Sequence, residues 1–474
     1  MPTLTIDDRV VTVEPGTRVI QAADALGIEI PRFCYHPGLS VAANCRMCLV
    51  ESNKSPKLVP ACHEVCQDGM VIKTRSARVL EARRAVLEFI LLNHPVDCPI
   101  CDQAGECELQ ELYYKHDRRP SRHMFRKLHK PKAVRIGPRV VYDAERCINC
   151  TRCVRFCDEV TGTHELRQVQ RGERTYIEVF PGRALDNAYS MCTADLCPVG
   201  ALTTDDFRFK CRVWFLSGTE TVCPECSRGC AVRVDTWRGA IQRVVPRHDP
   251  GVNGYWACDA GRLAYHRFET GRLAGAMVKG ERTSYTRAVK ALADALLELP
   301  GDVKVSVALS ASLTHEDARR VMRFVLARWS QVNVGLLRRP EGEADRLLVR
   351  ADRDANRVGV TGEVQAAGLE VRTDLSDAEV VLVVTPVGGV EGEVAERVRA
   401  ARLSMVVTPF ETEVLSAADF ALPAASPYES GGTFTNEFGV VRRLVRAIKP
   451  LGEARQVGDI FLDLAERMGV EGVA

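Results

Sequence analysis

Nineteen cysteines in a chain of 474 residues, all lying between Cys34 and Cys258, leave the last 216 residues with none. A set that dense must converge on disulfide partners or on metal, and either outcome pins loops together. The amino terminus, MPTLTIDD, shows no basic stretch, apolar run or cleavage site, so the thiols are expected to stay reduced. Cysteines at C-x2-C spacing then read as metal ligands, because one tight turn aims two thiolates at one centre.

The remaining sequence sets the frame. A composition of 46% hydrophobic and 27% charged residues suits several globular domains. A net charge of +2 argues against an electrostatic nucleic-acid binder. No apolar run approaches the ~20 residues that cross a bilayer; Val86 to Leu92 is interrupted by Glu88. Membrane contact is expected only through partner proteins.

Residues 3–14 alternate as a hairpin, with Leu4, Ile6, Val11 and Val13 inward. Thr17 is the expected N-cap of a helix from Val19 to Leu26 that Gly27 stops. Hairpin, helix and cysteine loop is the order of a β-grasp ferredoxin. From Ser76 to Asn93, Val79, Ala82, Val86 and Ile90 recur at helical spacing. Residues 115–139 are basic and interrupted by prolines, and read as a linker whose charge offsets anionic thiolate sites nearby. After about residue 300, strand candidates Val303–Leu309, Val380–Thr385 and Ser404–Pro409 alternate with helices His315–Trp329 and Glu391–Leu403, the pattern of a parallel sheet covered by helices.

Four ligand sets stand out. Cys34, Cys45, Cys48 and Cys62 follow the β-grasp start, and their C-x2-C pair with a later cysteine favours a [2Fe–2S] cluster. His94 precedes Cys98, Cys101 and Cys107 in HPVDCPICDQAGEC, where no fourth cysteine is near; imidazole can complete such a site. Cys147, Cys150, Cys153 and Cys157 fit a bacterial ferredoxin run, except that Asp158 replaces the proline. A second ferredoxin cluster would need cysteines at positions held by Asn187, Ser190 and Thr193, so Cys197, followed by Pro198, is left to complete a [4Fe–4S] site with Cys147, Cys150 and Cys153. Cys157 and Cys192 then read as buried thiols, and Cys66 as a free one. Cys223, Cys226, Cys230 and Cys258 resemble the [4Fe–4S] module that opens molybdopterin oxidoreductases. Tetrahedral zinc is the alternative for the first and fourth sets.

In this order, with FRFKCRVW between the third and fourth, the sets resemble the G subunit of bacterial respiratory complex I, NADH:quinone oxidoreductase. The resemblance implies a [2Fe–2S] cluster on Cys34, Cys45, Cys48 and Cys62. It implies [4Fe–4S] clusters on His94, Cys98, Cys101 and Cys107; on Cys147, Cys150, Cys153 and Cys197; and on Cys223, Cys226, Cys230 and Cys258, the last off the main route. It further implies electron transfer from a flavin- and NADH-binding subunit toward quinone, other peripheral-arm subunits as partners, and a peripheral place on the cytoplasmic side of the inner membrane.

The expected architecture is α+β and α/β multidomain: a [2Fe–2S] β-grasp domain (1–75), a His/Cys3 module with basic linker (76–135), a degenerate ferredoxin-like domain (136–215), a molybdopterin-oxidoreductase-type cluster module (216–275) and a truncated α/β domain (276–474). ADFALPAASPYESGGTFTNEFGVVRRL resembles a pterin-proximal segment of molybdopterin oxidoreductases, with Gly431, Gly432, Thr433 and Asn436 as its core. It reads as scaffold; with no cysteine after Cys258, no molybdenum cofactor is expected. An iron–sulfur subunit of an NAD-linked hydrogenase or formate dehydrogenase is the competing function, and a zinc-stabilised interaction protein the reading from another class.

Overall fold

The computed structural model describes residues 1–372, 378–388, 390 and 392–473. The chain forms two compact units, Met1–Leu216 and Ser217–Ala474. No helix among the described residues is long and apolar enough to cross a membrane.

The first unit opens with the expected hairpin, Thr3–Ile6 against Arg9–Thr12. Asp7 and Asp8, at φ 44° and 65°, form its two-residue loop. Left-handed residues there match the twist of the strands, and aspartate tolerates them. Val71–Lys73 pairs parallel to Thr3–Ile6, and Leu49–Ser52 and Ser55–Pro60 complete a five-stranded sheet. Helix Val19–Ala25 lies against it, burying Val19, Ile20, Ala22 and Ala23 with Leu4, Ile6, Val50 and Ile72. The helix is capped by Arg18 rather than by Thr17: Gln21 Oε1 accepts from the Arg18 backbone N–H at 2.9 Å. Thr17 lies one residue too early, and its carbonyl accepts from the Cys66 N–H at 2.8 Å. Gly27, at φ 69°, ends the helix as expected.

Helix Ala77–Leu91 begins at Ser76, whose Oγ accepts from the Val79 N–H at 3.3 Å. Its buried stripe is Val79, Arg83 and Leu87; Ala82, Val86 and Ile90 are only half-buried. Lys127 donates to the carbonyls of Leu91 and Leu92 at 2.7 and 3.0 Å, placing a cation on the helix's negative end just before His94. From Asp117 to Ala133 no helix or strand forms among the described residues. The basic side chains there find local carboxylates: Arg122 pairs with Glu88 at 2.6 Å and Lys132 with Glu145 at 2.8 Å. A three-stranded sheet of Val134–Arg135, Val140–Tyr142 and Leu202–Thr204, with the hairpin Leu166–Val169 and Tyr176–Val179, frames the third set.

The second unit starts with an antiparallel sheet, Ser217–Val222, Ala231–Trp237 and Ala240–Pro246. An eight-stranded sheet follows, ordered Glu281–Thr283, Ala276–Val278, Phe420–Pro423, Leu403–Thr408, Val380–Val384, Lys304–Ser310, Gln331–Leu337, Val371–Arg372. The six strands from Phe420–Pro423 onward in that order run parallel. Helices Tyr285–Leu297, His315–Arg328 and Val457–Met468 pack their apolar sides into one core on this sheet, while Gly392–Ala400 contributes Ala395 and Val398 to another. Strands this continuous in valine suit burial on both faces. The expected helix Glu391–Leu403 ends earlier, at Ala400, because Leu403 already pairs with Val380; Glu391 lies outside the described residues.

Asp317, in the first turn of helix His315–Arg328, is 3% exposed and accepts from the Gly458 N–H at 2.8 Å and Gln456 Nε2 at 3.1 Å. Burial pushes its carboxyl up to about 6. Between the ordinary carboxyl range and pH 6 the folded chain therefore holds a proton that the unfolded chain has released, and stability contributed here is lost as pH rises. Asp317→Asn is expected to stabilise the second unit by about 1–3 kcal/mol at pH 7, with the gain vanishing near pH 4; denaturant melts at both values check it.

Candidate metal centres

None of the nineteen cysteines is in a disulfide. The sulfurs of the first set meet in one nest: Cys34 hydrogen-bonds with Cys45 and Cys62, and Cys48 with Cys62. Cys45 and Cys62 donate to Cys34 and hold its thiol far below the usual range. Ala43 and Arg46, at φ 51° and 60°, wind the loop so that the Cys34 N–H reaches Cys45 Sγ at 3.5 Å. Cys66 stands apart in the β-grasp core, where burial raises its thiol. Arg83 is 2% exposed, its Nε and Nη2 lacking a hydrogen-bond partner. Burial lowers its pKa to about 10, and the charge of Cys48 opposes that shift.

In the second set, Cys98, Cys101 and Cys107 interact electrostatically with one another. His94 is buried with an orphaned Nδ1, and burial pushes its pKa down to about 4. A neutral imidazole with an unsatisfied buried nitrogen is what ligation asks for. Arg146 holds Asp97, the residue before Cys98, through both carboxylate oxygens at 3.1 and 2.7 Å. A Cβ on Gly200 would lie 2.3 Å from Cys101 Sγ, so the turn after Cys197 forms a wall that only glycine allows.

Cys147, Cys150, Cys153 and Cys197 line one pocket, closed by Tyr142, Ile148, Ile177, Val199 and Leu202. Asn149 and Thr151, at φ 52° and 61°, coil the run so that the Asn149 N–H meets Cys147 Sγ at 3.4 Å. Cys157 does not line it; fully buried beside Glu165 and Asp158, its thiol is pushed up chiefly by burial. Cys192 is buried and likewise outside the pocket.

The fourth set lies in the second unit. Cys223, Cys226, Cys230 and Cys258 face a cavity of about 340 Å³ that also meets Arg262, Arg267, Arg339 and Arg353. A Cβ on Gly261 would lie 3.0 Å from Cys223 Sγ and 3.3 Å from Cys258 Sγ, and its N–H points at Cys258 Sγ at 3.4 Å. Burial raises these four thiols, which a bound cation would ionise; four sulfurs, a backbone N–H and arginines around one hollow suit a polynuclear anionic cluster. Among the described residues no group of three or more His, Cys, Asp or Glu side chains is arranged to hold a single metal ion. The Gly431–Asn436 segment buttresses this loop: Asn436 Nδ2 donates to the Arg228 carbonyl at 3.2 Å and the Glu437 N–H to that of Ser227 at 2.9 Å. Its strand is tied inward by Glu316, which accepts from the Thr433 N–H at 2.8 Å.

Arginines of the cysteine runs are the functional residues that sequence reasoning missed. Arg155 donates to the Cys34 carbonyl at 2.6 Å and that of Cys150 at 3.3 Å. The Ser40 N–H reaches Glu159 at 2.8 Å, and Asn44 Nδ2 the Asn149 carbonyl at 3.1 Å. The first and third ligand loops are thereby laced together.

Family models match nearly the whole first unit and much of the second: a 2Fe-2S iron-sulfur cluster binding domain over 1–77, an NADH-ubiquinone oxidoreductase-G iron-sulfur binding region over 83–122, and an NADH-quinone oxidoreductase subunit 3 ferredoxin-like domain over 137–203. A molybdopterin oxidoreductase Fe4S4 domain matches 217–269 and molybdopterin oxidoreductase 357–467. The chain is 39% identical over 330 residues to the NADH-quinone oxidoreductase G subunit of Streptomyces coelicolor, covering 68% of this chain and 39% of that protein. It is 44% identical over 276 residues to the NADH-ubiquinone oxidoreductase 75 kDa subunit of Reclinomonas americana, covering 58% and 40%. The chain thus spans about two fifths of these relatives' length. An NAD+-reducing [NiFe]-hydrogenase structure in its H2-reduced state aligns at 29% identity and TM-score 0.40, over 45% of this chain and 91% of that one.

Two substitutions probe the second set. Gly200→Ala drives a methyl into Cys101 Sγ and is expected to remove the metal bound by this set while leaving the others, checked by iron content and EPR. His94→Cys exchanges a neutral ligand for a thiolate; it is expected to keep the metal and lower its midpoint potential. An unchanged potential would strike His94 from the ligand list.

Proposed function

We propose that this chain, a relative of the G subunits of NADH-quinone oxidoreductase over 68% of its length, is an electron carrier within that kind of complex and makes no covalent bonds itself. Its partners on this reading are a flavin- and NADH-binding subunit and other peripheral-arm subunits, on the cytoplasmic side of the bacterial inner membrane. Iron–sulfur clusters supply one-electron chemistry, so a row of them lets a two-electron donor discharge stepwise toward quinone.

The observation that carries the reading is convergence. The cysteines of the four sets fall into four separate groups, three within the first unit, among backbone N–H groups, arginines or apolar walls that suit an anionic cluster, and His94, just before the second set in sequence, is buried with an unsatisfied Nδ1. One [2Fe–2S] cluster would sit on Cys34, Cys45, Cys48 and Cys62. Three [4Fe–4S] clusters would sit on His94, Cys98, Cys101 and Cys107; on Cys147, Cys150, Cys153 and Cys197; and on Cys223, Cys226, Cys230 and Cys258. The contact of Asn436 with the Arg228 carbonyl supports a scaffold role for residues 431–436 beneath the fourth loop.

Low-temperature EPR of the anaerobically purified chain, with iron, sulfide, zinc and molybdenum counts, tests this. About 14 iron atoms and as many sulfides are expected, the content of one binuclear and three tetranuclear clusters. Colourless protein holding zinc without sulfide would overturn the reading. Stoichiometric molybdenum would favour the formate dehydrogenase alternative.

A further inference from the structure

One side chain touches the surroundings of three ligand sets at once. Arg152 lies between Cys150 and Cys153 in CTRC, yet it is only 5% exposed. Its Nη2 donates to the Tyr35 carbonyl, one residue past Cys34, at 3.0 Å. Nη1 donates to the Leu196 carbonyl, one residue before Cys197, at 3.2 Å. Both nitrogens reach the carboxylate of Glu108, the residue after Cys107, at 2.9 and 3.3 Å. The guanidinium lines the pocket that receives Cys147, Cys150, Cys153 and Cys197, and also a groove that Cys107 and Tyr35 line. Its Nε is buried without a partner, and its charge favours the Cys150 thiolate.

We propose that Arg152 is a shared positioning residue that holds the first three clusters in fixed relation and raises all three potentials together. The proposal rests on the cluster assignment above. Reduction adds negative charge to a cluster, so a buried cation nearby favours the reduced form. Glu108 is the only carboxylate paired with Arg152 among the described residues, and its side chain is 41% exposed against 6% for Arg152. Solvent screens the anion far more than the cation, so the net field toward the interior is positive. A planar fork with several donors suits the role, because one rigid group can bind carbonyls on two loops and a carboxylate on a third.

The test is an EPR-monitored redox titration of the full chain, anaerobically purified, as wild type, Arg152→Met and Arg152→Lys. Wild type lacking clusters would sink the assignment itself and leave the role of Arg152 without an object. With clusters present, Arg152→Met is expected to keep iron and sulfide content, lower all three midpoint potentials and weaken the magnetic coupling between neighbouring clusters. Arg152→Lys, which keeps the charge but not the fork, is expected to restore most of the potential shift and little of the coupling. Potentials that stay put, or a shift confined to the cluster of the CTRC loop, would overturn the proposal. Should Arg152→Met fail to assemble, the lysine variant decides: wild-type coupling in it would overturn the clamp.

Discussion

Sulfur that carries negative charge cannot be buried without donors and cations around it, because an uncompensated anion in a low-dielectric interior is costly. Most of the ligand residues make the demand sharper by sitting on turns and irregular loops, where no ladder of backbone pairs fixes position. The chain answers with backbone N–H groups aimed at sulfur, at Cys45, Cys147 and Cys258, and with arginines that bind carbonyls on facing loops. Arg152 and Arg155 serve as cross-links of this kind, Arg146 holds the Asp97 carboxylate instead, and in the second unit Arg339 donates to the Glu225 carbonyl at 2.7 Å.

The two units solve the problem from different starting points. In the first, little sheet is available near the second set, and side-chain hydrogen bonds across long stretches of sequence add to the positioning of the second and third. In the second, a large parallel sheet supplies rigidity, and the fourth loop is held from outside by the Asn436 segment and by Arg339. Oxidoreductase domains of the molybdopterin type match this region; here the segment's polar groups are engaged with Glu316, Asn356 and the carbonyls of the cluster loop.

Much of this was legible in the chain itself, since spacing of thiols is a direct statement about which turns bring sulfurs together. That Cys197 rather than Cys157 lines the third pocket agrees with what Asn187, Ser190 and Thr193 cannot do. Periodicity found helix Ala77–Leu91 but not its buried stripe, because a guanidinium at position 83 reads as solvated in any hydropathy pattern. Arg152 and Arg155 escaped for the same reason: nothing in CTRCVRFC says that the charged residues turn inward to meet carbonyls more than a hundred positions away. A hydroxyl at Thr17 suggests a cap because hydroxyls usually fill that role, whereas here the Gln21 amide oxygen returns to the Arg18 N–H.

The glycine wall behind Cys101 also bears on the order of events during folding. Cys101 and Gly200 lie far apart along the chain, so the surface that confines this sulfur exists only after a long loop has closed. The first set, by contrast, is backed by a sheet and helix drawn from the opening segment, to which later residues add only hydrogen bonds at its outer loop. Metal uptake by a growing or refolding chain can therefore be completed early at the first nest, while the second stays open until the Cys197 turn has docked.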